Sequence, residues 1–257
     1  MNLATCYYNA TWVQVGVSNA VALSIAQEQV KFTLDADKSL PAGEHPLLME
    51  FGTMECEITA MPGKHTWFEM CLAIPELSLE GYDGHYNYQA RSYLNKALGV
   101  MGDVVVEGYQ AIVADVATNS TPAQDLSITP CKVEKKPVIL HSKFTEGTGD
   151  FLPAEDMIKS NAGFAQLAAR KDLQMMGVRK LAGSLVRECS AIAYDWSQTT
   201  VRSGVAGSVV FDQSPDLPAI KAGTRFDFSA QEHNAFEVKA YFHLTMPSSC
   251  PKTTKLS

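Results

Sequence analysis

The sequence predicts a mainly β chain (α+β), and three observations carry that reading. Apolar residues alternate with polar ones in several runs, turn-forming clusters separate those runs, and only two short segments have helical spacing. Alternation with period two is the mark of a half-buried strand. The clearest run is Phe236, Val238, Ala240, Phe242 and Leu244. Looser alternation runs from Met49 to Ile58, and strand-like runs cover Trp67 to Leu79 with a break at Pro75, and Asp103 to Ala117. Val138 to Leu140, Ser184 to Tyr194 and Val209 to Phe211 complete the set. Turn signals at Pro41-Ala42-Gly43, Pro62-Gly63, Asp83-Gly84 and Ser214-Pro215-Asp216 fall between them. Many strands at such spacing predict a barrel or sandwich.

Two segments read as helices. Tyr93, Leu94, Ala97, Leu98 and Met101 fit one apolar stripe, predicting a helix over 90–101. Pro153 followed by Glu155 and Asp156 predicts a helix from 153 towards Ala168, with proline in the first turn and acids at the positive end of its dipole. The stretch from Gly147 to Pro153 reads as a long loop. No internal repeat or boundary stands out, so residues 1–257 are expected to form one domain.

Composition narrows the function. Charged residues make up 19% and hydrophobic ones 46%, which fits a packed chain rather than a disordered one. A net charge of −7 excludes a general phosphate-backbone binder, which needs clustered Lys and Arg. The apolar stretch Val15 to Ile25 is too short for a membrane span, and Met1 to Ala10 holds no Lys or Arg. A cytoplasmic protein without nucleic-acid or membrane partners is therefore expected. The cysteines are Cys6, Cys56, Cys71, Cys131, Cys189 and Cys250, none at CxxC spacing, and they read as buried inert thiols. The histidines form no HxxxH or HxH pair, so no metal is expected, and no cofactor either.

The segment Trp67-Phe68-Glu69-Met70-Cys71-Leu72-Ala73-Ile74-Pro75 resembles the Y-x-E-x-x-x-A-I-P strand of acetoacetate decarboxylases. The Gly-x-x-Gly-x-Tyr turn that follows in the family matches Gly81-Tyr82-Asp83-Gly84-His85-Tyr86, and Tyr93-Leu94-Asn95 resembles its Tyr-Leu-Asp piece. Val210-Phe211-Asp212, Asp216-Leu217-Pro218 and the final apolar strand come in the family's order. The resemblance implies an antiparallel β-barrel or cone with a few short helices.

In that family a lysine in a Gly-Tyr-Pro-Lys-Lys-like motif forms an imine with a β-keto acid, its pKa depressed by a second lysine and a dry site. The matching stretch here is Gly108-Tyr109-Gln110-Ala111-Ile112, in which the tyrosine remains and both lysines are gone. The family's N-terminal arginine is also missing, since the first arginine is Arg91. Glu69 matches the strand glutamate, and Glu50 or Glu55 is the candidate for a second one.

The resemblance thus implies Glu69 and Tyr109 as catalytic groups, with Glu50, Trp67, Tyr93 and Ala111 binding substrate. Trp12 reads as core or pocket lining. Lys31 and Lys96 read as solvated. The expected function is a cofactor-independent lyase, isomerase or cyclase that acts on a carbonyl or polyketide-like small molecule without a Schiff base. A β-keto acid decarboxylase with a displaced lysine and a non-catalytic ligand-binding protein are the alternatives. Family members are commonly homo-oligomers, which makes assembly an expectation here.

Overall fold

The computed structural model describes residues 2–26, 32–34, 40–101, 110–118, 125–130, 138–181, 184–212, 217, 219–231 and 234–252. The chain opens with β1 (Asn2–Ser18), α1 (Asn19–Ala26), β2 (Thr33–Leu34), β3 (Glu44–Ile58), β4 (Lys64–Ser78) and β5 (Tyr86–Leu94). There follow α2 (Ala97–Met101), β6 (Ala111–Thr118), β7 (Asp125–Pro130) and β8 (Leu140–Phe144). Then come β9 (Leu152–Pro153), α3 (Ala154–Ser160), α4 (Ala162–Lys171), β10 (Gln174–Leu181) and β11 (Ser184–Ser190). The last elements are β12 (Ile192–Tyr194), β13 (Thr200–Arg202), β14 (Gly207–Phe211), β15 (Thr224–Phe228), β16 (Ala235–Thr245) and β17 (Ser248–Ser249).

Long strands make the frame. β16, β1, β3, β4 and β5 lie side by side, each antiparallel to the next. The far side of β5 is shared: its first residues pair in parallel with β10 and its last with β6. From β6 the hydrogen bonding continues through β7, β8, β14 and β15. This second ribbon folds over one face of the frame. Phe51, Met70 and Tyr93 of the frame pack there with Ile128, Leu140, Phe144, Phe211 and Phe228.

The other face packs against the helices. Trp12, Leu48, Trp67 and Phe236 share a core with Ala154, Met157, Phe164 and Leu167 of α3 and α4. The helix expected from 153 to 168 is two. Asn161 takes an extended backbone (φ −130°), and its side chain accepts the Phe164 N–H at 3.0 Å, capping α4. Such a cap is worth about 1 kcal/mol.

Other expectations need correction. The frame's central strands are buried on both faces, and all nine residues of β5 are buried. Residues 86–94, the last five of them in the expected helix, are therefore strand, and of that helix only Ala97–Met101 is helical. The strand through Pro75 is not broken: β4 runs to Ser78, with a register shift between Ile74 and Leu77 and Glu76 at φ +56°. The cysteines are not all inert thiols. Cys6 and Cys56, opposite each other on β1 and β3, form a disulfide, as do Cys189 and Cys250, while Cys71 is reduced and buried. Cys131 lies outside the described residues.

Candidate active site

The strand registers set the site. One row crosses five strands on the helix-facing side: Trp12 on β1, Glu50 on β3, Cys71 on β4, Ser92 on β5 and Ala111 on β6. The next row is Ala10, Gly52, Glu69 and Leu94, and the one after is Tyr8, Met54 and Trp67. Alternate residues of a strand share a face, so Trp67, Glu69 and Cys71 stand together, as do Tyr8, Ala10 and Trp12. Ala10 and Gly52 put no side chain larger than a methyl between Tyr8 and Trp12. A Cβ on Gly52 would lie 2.4 Å from that of Ala10, so glycine is what lets β1 and β3 approach there.

Glu69 is 8% exposed and both its oxygens are held. The Trp67 indole N–H donates to Oε2 at 3.0 Å and the Cys71 thiol donates to Oε1 at 2.6 Å. Burial pushes its pKa above the usual carboxylate value, with help from the nearby Glu50 charge; the two hydrogen bonds and Lys171 only partly offset this. Gly99 of α2 covers the Trp67 indole, where an added Cβ would lie 3.3 Å from Nε1.

Glu50 is also 8% exposed, and it is paired with the Lys171 ammonium, which enters from the end of α4. The ammonium lies 5.1 Å from the Trp12 ring centroid and 5.4 Å from that of Tyr194. Burial by itself would lower the lysine pKa. Glu50 and the hydrogen-bonded Tyr194 hydroxyl outweigh it and hold Lys171 above its ordinary value of 10.5, so the amine stays charged. Burial pushes the Tyr194 hydroxyl up as well. Tyr194 meets Trp12 edge-on with centroids 5.5 Å apart and stacks on Trp196 at 5.0 Å.

Of the residues expected from the sequence, Glu69, Glu50, Trp67 and Ala111 come together. Ala111 packs in the helix-side core while its neighbour Ile112 faces the other core. Of the two positions matched to the family's lysines, Ala111 thus adds a methyl group to the row of Glu50, Cys71 and Ser92. Tyr93 is not brought to the site; it is buried in the opposite core with Met70, because it follows Ser92 by one residue on β5. Tyr109 lies outside the described residues. Of the two lysines read as solvated, Lys96 is exposed and Lys31 lies outside them.

Sequence reading missed Lys171, Tyr194 and Tyr8. A signal existed for Lys171: Phe164, Leu167, Ala168 and Lys171 repeat at helical spacing, so the lysine falls on the apolar stripe. Among the described residues no group of three or more His, Cys, Asp or Glu is arranged to hold a metal ion.

The large mixed sheet with its short helices is the acetoacetate decarboxylase-like fold, as the motifs led us to expect. The chain is similar to an acetoacetate decarboxylase-like enzyme from Sphingomonas wittichii RW1, at TM-score 0.61 and 12% identity over 98% of this chain and 94% of that one. It is similar to an acetoacetate decarboxylase at TM-score 0.60 and 11% identity, over 99% and 91% of the two chains. The enduracididine biosynthesis enzyme MppR, solved with HEPES buffer bound, matches at TM-score 0.59 and 12% identity over 99% and 89%. No family model and no curated protein matches the chain. At such identities the likeness is one of fold.

Proposed function

We propose that this chain is a small-molecule enzyme that moves a proton on a carbonyl compound, with Glu69 as general acid or base and without an imine. The observation that carries this reading is Glu69 itself: buried, oriented by donors on both oxygens, and with its pKa raised towards the range useful near neutrality. Ala111 and Ile112, standing where the motif's two lysines are expected, support the part of the proposal that excludes an imine. Dehydration and isomerisation of a polyketide-like compound use this proton transfer, and its cyclisation can be served by acid/base or proximity catalysis. Holding the reacting atoms in place removes up to about 7–11 kcal/mol of such barriers. The test is α-proton exchange into a panel of ketones in heavy water, followed by nuclear magnetic resonance. Glu69→Gln is expected to slow it about 10²- to 10⁴-fold. A loss below about tenfold with the fold intact removes Glu69 from the mechanism.

A second reading, decarboxylation of a β-keto acid through a displaced lysine, is favoured by one observation: the Lys171 amine lies in the same cluster. Against it stands the Glu50 carboxylate, which keeps that amine protonated and so without the lone pair an imine requires.

The two disulfides favour an oxidising compartment over the cytoplasm expected from the sequence. No helix among the described residues is long and apolar enough to cross a membrane.

A further inference from the structure

Two buried donors beside Glu69 have no partner among the described residues: the Tyr8 hydroxyl and the Trp12 indole N–H. Tyr8 is 1% exposed and Trp12 fully buried. Burying such a group unpaired is costly, so each needs an explanation. They stand on one face of β1 with ring centroids 6.5 Å apart and only the Ala10 methyl between them. Glu69 borders the same small-residue row, and the Lys171 ammonium sits over the Trp12 ring. Two neutral donors beside a proton acceptor make a place where an oxygen that gains negative charge as the acceptor takes a proton can be held by hydrogen bonds.

We propose that Tyr8 and Trp12 receive the substrate carbonyl oxygen and donate hydrogen bonds to it as it becomes an enolate. The inference rests on the reading of Glu69 as the proton-transfer group. In the step, the Glu69 carboxylate takes the α-proton and the C–H electron pair moves into the new carbon–carbon double bond. The carbonyl π-pair moves onto oxygen, where Tyr8 Oη–H and Trp12 Nε1–H hold it, and Glu69 becomes neutral as it takes the proton. The substrate class is therefore an enolisable ketone or β-dicarbonyl, bound with its oxygen towards β1.

The test uses 4-nitrophenol, whose phenolate resembles an enolate and whose ionisation is read in the visible spectrum. The native protein is expected to bind the phenolate more tightly than the phenol. Tyr8→Phe, which removes one oxygen atom, is expected to cut phenolate affinity about 10- to 100-fold and leave phenol affinity within about twofold. Trp12→Phe is expected to do the same; should it not fold, Tyr8→Phe decides alone. α-Proton exchange in Glu69→Gln is measured apart from phenolate binding by Tyr8→Phe, so failure of the Glu69 reading shows separately. Equal binding of phenol and phenolate by the native protein, or phenolate affinity unchanged in Tyr8→Phe, overturns the inference.

Discussion

Lys171 and Glu50 form a buried ion pair that ties the end of α4 to the middle of β3, directly across from Trp12. The residue before it does similar work: Arg170 is buried, donates to Glu76 at 3.1 Å and bonds Gln14. Two consecutive cations at a helix C-terminus thus anchor α4 to three strands of the frame, an end where positive charge also suits the helix dipole.

Breaking the inner pair leaves a buried charge alone. Lys171→Met is expected to cost about 3–5 kcal/mol in urea unfolding, and the double variant Lys171→Met with Glu50→Met to recover much of that loss. The pH dependence follows from the raised lysine pKa. The folded protein holds this proton more tightly than the unfolded chain, so the contribution is complete below pH 10.5 and lost as pH rises through the folded-state value. Unfolding followed from neutral to alkaline pH checks this; Lys171→Met lacks this part of the alkaline loss.

Glu69 has the opposite consequence. Its folded-state pKa lies above 4.5, so the native protein keeps a proton that the unfolded chain releases, and stability falls as pH rises from 4.5 through the folded-state value. Glu69→Gln is expected to flatten that slope. The pH–rate profile of α-proton exchange should show a base limb above the ordinary glutamate range. Trp67→Phe, which removes a donor to the carboxylate, should move that limb to higher pH.

The disulfides are testable by mass. Alkylation of the oxidised, denatured protein is expected to spare Cys6, Cys56, Cys189 and Cys250 and to mark Cys71. Replacing Cys6 and Cys56 together should cost about 2–4 kcal/mol, since the bridge closes residues 50 apart.

Gly52→Ala forces a methyl against Ala10 on the neighbouring strand. A loss of about 1–3 kcal/mol is expected in thermal or urea unfolding.

The sequence showed part of this directly. β16 alternates cleanly because its two faces differ, and Glu69 stood out because a family motif surrounds it. β5 was misread because both of its faces are buried, including Asn87, Gln89, Arg91 and Ser92, so no alternation betrays it. The disulfide between Cys6 and Cys56 depends on the register of β1 on β3, which cysteine spacing does not encode. Lys171 was hidden by the rule that lysines are solvated; its place on the stripe of Phe164, Leu167 and Ala168 outweighs that rule. Tyr93 was assigned to the site by motif, yet a shift of one residue along a strand reverses the face.

The central claim is chemistry on a carbonyl compound without covalent capture by an amine. Incubation with acetoacetate and borohydride, followed by peptide mass spectrometry, tests it most directly. No reduced adduct on Lys171 or any other lysine is expected; a stable adduct on Lys171 would restore the decarboxylase reading.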